Sequence, residues 1–296
     1  MEYIPAKNIV TKNKNTRWFG AEYNMNIYKG CTHGCIYCDS RSSCYRIENF
    51  DMVRAKQNAL EIIRDELSRK VKKGVVATGA MSDPYNPFEK KEEITRHALE
   101  LLNAYGFGVA IATKSDFVTR DIDVLKDISV HSPVICKITV TTVDDTLSSK
   151  IEPGAPNSTK RFEAIDKLSS QGIFTGVLLM PVLPFLEDTE ENILGLLQKV
   201  KESGARFIYP MFGVTLRDNQ RLHFYKQLNT IFPENNYAER YAQYYKDKYV
   251  CTSPKAKRLF SVFSSYCNAN GLLYKMQDII SAYKARYNTE QLNFWV

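Results

Sequence analysis

Six short apolar runs, separated by longer stretches of helical periodicity, set the frame for this sequence. The runs are AEYNMNIYKG (21–30), GVVATGA (74–80), FGVAIATK (107–114), PVICKITVTT (133–142), IFTGVLLMPV (173–182) and ARFIYPM (205–211). The last five are dense in Val, Ile and Phe and bounded by Gly, Pro, Ser or Asp, as buried strands are; the first has alternating character. Helical patterns fill 53–71, 91–105, 119–128, 158–171 and 189–203, and in the first of these Ala59, Leu60, Ile62, Ile63 and Leu67 recur at helical spacing. Strands joined by helices of this length form parallel βαβ units. Six units are too few for a closed eight-stranded barrel, so the pattern predicts an α/β fold with an open, partial (β/α)6 barrel; a doubly wound sheet is the alternative. In either, ligands gather at the C-terminal ends of the strands. Beyond residue 212 the strand pattern stops. Helical patterns over 218–229, 236–247, 255–269 and 272–286 predict a helical C-terminal extension, 213–296, packed on a barrel domain, 1–212.

The start of the chain, MEYIPAKNIVTKNK, is polar and lacks the apolar core of a signal peptide. No apolar run approaches the roughly 20 residues of a membrane-spanning helix. The expectation is a soluble, cytoplasmic protein with no membrane partner. In a reducing compartment, close-set cysteines read as metal-binding or catalytic, not as disulfides.

Four of the seven cysteines fall in GCTHGCIYCDSRSSC (30–44), directly after the first predicted strand. Cys31, Cys35 and Cys38 form C-x3-C-x2-C, which places three soft thiolates where a cofactor site belongs. Such ligands select zinc, copper(I) or iron–sulfur clusters. A structural zinc site needs four ligands, commonly in two pairs. Here there is no second pair; His33 is wedged between ligands, and Cys44 is the better fourth candidate. Three thiolates without an obvious fourth suit a [4Fe–4S] cluster with one iron left open.

CTHGCIYC resembles the cluster motif of the radical S-adenosylmethionine (SAM) enzymes, C-x3-C-x-aromatic-C, with Tyr37 as the aromatic. That superfamily has a partial (β/α)6 barrel with this motif after its first strand. The closer resemblance is to the spore photoproduct lyase-like branch, over about 23–211. It is carried by the cysteine loop, TGAMSDPYNPFE (78–89), TKSDFVTRDIDVL (113–125), VTTVDDTLSSKIEPGAPNSTKRFEAI (140–165) and LLMPVLP (178–184).

The resemblance implies that Cys31, Cys35 and Cys38 ligate a [4Fe–4S] cluster whose open iron chelates SAM, and that one electron cleaves SAM to methionine and a 5′-deoxyadenosyl radical. An electron donor such as flavodoxin or ferredoxin is then a partner. Tyr37 would lie under the adenine, or serve as a core aromatic. Lys114 stands where the lyases bind the SAM carboxylate, although a lysine at a strand end is commonly just solvated. Thr141 lies eleven residues before Glu152, as the lyases' ribose-binding serine precedes their glutamate; the plainer reading is a β-branched strand residue. Ser82 and Asp83 occupy the turn where many members carry Gly-Gly-Glu for the SAM amino group, or they form a simple S-D-P-Y turn. Glu152 and Arg161 read as an internal ion pair shaping the barrel mouth.

Met81–Ser82 stands where the lyases place a hydrogen-donating cysteine, so thymine-dimer reversal is not implied. Cys136 reads as a small core residue, and Cys251 and Cys267 have no clustered ligands around them.

The net charge is +7, and residues 213–296 carry +6 of it, with 12 Lys/Arg against 6 Asp/Glu and ten of the eighteen tyrosines. Basic residues interleaved with aromatics can form a nucleic-acid surface, whose densest part here would be Lys246, Lys248, Lys255, Lys257 and Arg258 with Tyr244, Tyr245 and Tyr249. The plainer reading is amphipathic helices with tyrosines inward and lysines solvated. The expected function is a radical SAM enzyme whose substrate is open, with nucleic acid the leading class. The alternative is a zinc- or cluster-stabilised nucleic-acid-binding module without radical catalysis.

Overall fold

The computed structural model describes residues 1–287. Six parallel strands lie side by side in chain order: β1 (Tyr23–Met25), β2 (Val75–Thr78), β3 (Gly108–Thr113), β4 (Val134–Thr139), β5 (Thr175–Leu179) and β6 (Phe207–Pro210). A further strand, Val10–Lys12, runs antiparallel along the outer edge of β1. The main connections contain α1 (Ala59–Ser68), α2 (Ile94–Ala104), α3 (Ile122–His131), α4 (Ser158–Ser170) and α5 (Glu190–Glu202).

All five helices bury their apolar stripes on the same face of the sheet. Ile63, Leu99, Leu125, Ile165 and Leu196 share one core with Val76, Val109, Ile138 and Val177. The opposite face, through Val75, Ala110, Ile135, Leu178 and Phe207, packs separately around Phe19, Ile279 and Tyr283. A strand order that never reverses, with helices on one face only, is the winding of a barrel; a doubly wound sheet would reverse its order and carry helices on both faces. β1 and β6 lie toward opposite ends of the sheet and do not pair, so the barrel is partial.

Two predicted elements differ in detail. The run 21–30 breaks after Met25, and Tyr28–Lys29 joins a second, three-stranded sheet with Glu2–Ile4 and Arg54–Lys56. The helix expected from 53 therefore starts later, after Asn58, whose φ of 52° ends the strand. Local periodicity could not show this, because both pairing partners of Arg54–Lys56 are distant in sequence.

The C-terminal region holds α6 (Asp218–Ile231), α7 (Tyr237–Tyr245), α8 (Ala256–Asn270) and α9 (Met276–Lys284). Strands do not stop at 212: Gly213–Thr215 pairs antiparallel with Val250–Thr252. Helix α8 buries Leu259, Phe263 and Cys267 in the main core. Helix α9 covers the inner face, where the Tyr283 hydroxyl donates to the Phe19 carbonyl at 2.6 Å and Lys284 pairs with Glu22 at 2.8 Å. Residues 288–296 of the expected extension lie outside the described residues. Among the described residues no helix is long and apolar enough to cross a membrane.

Candidate active site

The cysteine loop is held by backbone contacts from distant segments. The N–H of Cys31 donates to the Phe50 carbonyl at 2.8 Å, and that of Ile36 to the Ile151 carbonyl at 3.0 Å. The N–H of Gly154 donates to the His33 carbonyl at 2.9 Å. A Cβ on Gly154 would lie 2.2 Å from the Thr32 carbonyl oxygen, so only glycine lets the E-x-G-x-P segment lie against the loop.

Cys31, Cys35 and Cys38 line a cavity of about 290 Å³, together with Ser82, Asp83 and Lys114. Its wall is built from strand ends: the Gly79–Asp83 turn follows β2, Lys114 follows β3, and Thr139 closes β4. Gly79 has φ +95°, and a Cβ there would meet the Ala112 carbonyl oxygen at 1.8 Å, which makes glycine obligatory at this turn. Leu178 and Trp18 add apolar surface.

Six of the eight residues expected at the site thus meet on one cavity. The other two sit behind it. Thr141 is buried, and Thr139, two residues earlier on the same strand, is the threonine on the wall. Tyr37 is buried with its hydroxyl hydrogen-bonded to Glu152. Cys44 is exposed and lies off the cavity, while Cys136, Cys251 and Cys267 are buried in apolar clusters.

Asp83 is the most heavily bonded of these groups. One carboxylate oxygen accepts from the Thr113 hydroxyl at 2.6 Å and the Tyr85 N–H at 2.9 Å; the other accepts from the Lys114 N–H at 2.8 Å and faces His33 Nδ1 at 3.4 Å. It therefore fastens the β2 turn to the end of β3. The Ser82 hydroxyl donates to the Gly30 carbonyl, next to Cys31. His33 was expected only as a poor metal ligand; it is 3% exposed, and burial lowers its pKa against the pull of Asp83.

Glu152 is the second hub. It pairs with Arg161 at 2.5 Å and with Lys114 at 3.8 Å, and Glu152 and Arg161 are each 1% exposed. This is the internal ion pair the sequence indicated. Burial opposes the charge on Lys114, but Cys35 and Glu152 outweigh it and the lysine pKa is raised. Burial pushes the Cys31 thiol up to about 11, with Asp83 adding to the shift, and it also raises Cys35 and Cys38. Without a metal these thiols hold their protons; a soft cation would displace them.

Among the described residues no three His, Cys, Asp or Glu side chains converge tightly enough for a single metal ion. The donor set itself, three soft thiols on one wall with hydroxyl, carboxylate and ammonium groups around the rest, fits a cluster with an amino-acid zwitterion beside it.

The sequence matches the radical SAM superfamily over residues 25–218, and the chain belongs to that superfamily. An uncharacterized protein of Mycobacterium tuberculosis (strain ATCC 25618 / H37Rv) is 29% identical over 250 residues, spanning 82% of this chain and 73% of that protein. A radical SAM Nalpha-GlyT isomerase of Pseudomonas phage M6 is 24% identical over 183 residues, spanning 62% of this chain and 37% of the phage protein. Among solved structures, a spore photoproduct lyase mutant superposes with a TM-score of 0.66 at 15% identity, covering 92% of this chain and 81% of the other. A lyase mutant with bound AdoMet and dinucleoside spore photoproduct gives 0.65 at 14% identity, covering 92% and 82%. The fold is that of these enzymes.

Proposed function

We propose that this protein is a radical SAM enzyme that holds a [4Fe–4S] cluster on Cys31, Cys35 and Cys38, binds SAM across the same cavity and acts on a nucleic-acid substrate. The observation that carries the reading is the meeting of the three thiols with Ser82, Asp83 and Lys114 on one cavity at the strand ends. A cluster bound there supplies the electron that splits SAM to methionine and a 5′-deoxyadenosyl radical. The Lys114 ammonium offsets the SAM carboxylate, and the Gly79–Asp83 turn presents Ser82, Asp83 and its carbonyls to the amino group. Tyr37 supports the adenine through its backbone. Thr139 takes the ribose contact expected of Thr141, since it is the one facing the cavity.

Nucleic acid is favoured because the phage relative is named for GlyT isomerisation and the lyase structure contains a dinucleoside. The lyases' hydrogen-donating cysteine has no counterpart, as the turn from Gly79 to Asp83 contains no thiol. The reaction proposed is therefore not dimer reversal through such a cysteine. A cytoplasmic location and a flavodoxin- or ferredoxin-type electron donor complete the reading.

Anaerobic reconstitution should give about four irons per chain. Reduced protein should then convert SAM to 5′-deoxyadenosine. Cys35→Ala should lose both, whereas Lys114→Ala should keep its iron and bind SAM more weakly. Deuterium passing from labelled DNA or RNA into 5′-deoxyadenosine would identify the substrate class. A colourless protein holding one tight zinc would instead support a zinc-stabilised nucleic-acid-binding module.

A further inference from the structure

The inner face of the sheet carries a lysine that the proposed SAM contacts leave unused. Lys137 lies on β4 and is 2% exposed. Its register partners are Ala112 on β3 and Gly176 on β5. Ala112 lies on the cavity wall, as do Gly79 beside it and Thr139, two residues further along β4 and so on the same face as Lys137. At this level the wall runs Gly79, Ala112, Lys137, Gly176. Three positions with at most a methyl group flank one long side chain ending in an amine.

The Lys137 ammonium lies 4.8 Å from the centre of the Phe19 ring. Among the described residues no acidic group offsets it: burial lowers its pKa to about 7, and only Cys136 acts in the other direction. A ring face can offset part of the charge, but it leaves the three N–H donors of an ammonium without acceptors. An uncompensated buried cation opposes folding, and its presence beside a ligand cavity is explained if an anion arrives with the ligand.

We propose that Lys137 is the countercharge for an oxyanion of the substrate, a phosphate or a carboxylate, bound against the inner face of the barrel beneath the SAM cavity. This rests on the reading of that cavity as a SAM site. The small flanking residues provide the width for the group, and Lys137 supplies charge-assisted hydrogen bonds that the apolar surroundings strengthen.

The test measures thermal midpoints of the cluster-loaded full chain with inorganic phosphate, acetate or a thymidine dinucleotide, each against chloride at matched ionic strength. A bound anion should raise the midpoint by about 2–4 °C or more at saturation. Lys137→Met, which keeps the volume and removes the charge, should abolish the rise. If this variant melts below the parent, Lys137→Arg must restore the anion response. A response to phosphate or the dinucleotide identifies a phosphate-bearing substrate. A response to acetate alone keeps the subsite and removes nucleic acid from the proposed function. No rise with any of the three, or an equal rise in Lys137→Met, overturns the proposal. SAM cleavage by the parent protein tests the SAM reading on its own, so the two can fail separately.

Discussion

The side-chain amide of Gln220 donates to the Tyr37 carbonyl at 2.9 Å, across 183 positions of sequence. The same amide donates to the Thr215 carbonyl at 3.2 Å, and its oxygen accepts from the Arg217 N–H at 3.0 Å. Beside it, Arg217 pairs with Asp39 at 2.5 Å, and Ser43 N–H donates to Asn219 at 2.7 Å. The start of α6 therefore grips the cysteine loop on both sides of Cys38. Gln220→Leu strands three polar groups, at about 1–3 kcal/mol for each one left buried. The variant should melt lower and lose iron faster to a chelator than the parent; iron retained at the parent's rate would deny Gln220 this positioning role.

Glu152 should be the most damaging carboxylate to neutralise. It faces Arg161 and Lys114 in a buried site, and breaking such a pair costs about 3–5 kcal/mol because the partner charge is left behind. Although burial pushes the Glu152 pKa up, Arg161 and Lys114 outweigh it and the carboxyl lies below its ordinary value of 4.5. Its stabilisation is thus full above about 4.5 and is lost as pH falls through the depressed value. Glu152→Gln should lower the urea midpoint at pH 7 and flatten its decline on acidification. Parallel pH profiles for variant and parent would show that the pair contributes nothing.

Glu187 should behave with the opposite sign. It is 1% exposed, one carboxyl oxygen accepts from the Leu183 N–H at 2.8 Å, and burial pushes its pKa up to about 8. The folded protein keeps this proton between about 4.5 and 8 while the unfolded chain gives it up, so stability from this group falls as pH rises across that window. Glu187→Gln mimics the protonated form and should gain over the parent as pH increases from 5 to 8. A constant difference between the two across that range would place the titration elsewhere.

What the sequence could show was set by how local each feature is. The alternation of strands and helices gave the barrel, since each element carries its own periodicity. The thiol spacing gave the cavity, because three of its lining groups sit within eight residues of one another. Even Glu152–Arg161 was legible, lying nine positions apart on one loop and helix. Features made by distant segments were not. Nothing around Gln220 indicates that it closes on Tyr37, and Arg54–Lys56 looks helical until its two partner strands are known. Thr141 and Thr139 both fit the pattern of a polar residue at a strand end, and only the packing of β4 decides which faces the cavity. Lys137 is the instructive miss. A lysine inside a run of Val, Ile and Cys breaks the apolar pattern, and that break was itself the signal.

The last prediction concerns the basic C-terminal region. Its tyrosines are largely committed: Tyr245 is buried with its hydroxyl donating to the Thr252 carbonyl at 2.7 Å, and Tyr249 stacks on the Arg217 guanidinium at 4.8 Å. Tyr244 is 56% exposed, but two of its contacts are edge-on packing with Phe185 and Tyr245. Of the basic groups, Arg258 already pairs with Glu190, leaving Lys246, Lys248, Lys255 and Lys257 as exposed charges. Lysines without free aromatic platforms bind nucleic acid weakly and in a salt-dependent way. Each phosphate contacted on a single strand contributes about −0.7 to the slope of log K against log salt, so this surface should give a slope no steeper than about −1.5. Charge reversal at Lys255 and Lys257 should change it by less than one contact. Deleting residues 213–296 should instead aggregate the protein, because Leu259 and Phe263 leave the main core and Ile279 and Tyr283 leave the inner face. A steep slope that flattens in the reversed variant would make this region the nucleic-acid surface. A soluble, folded truncation would show that the barrel does not depend on it.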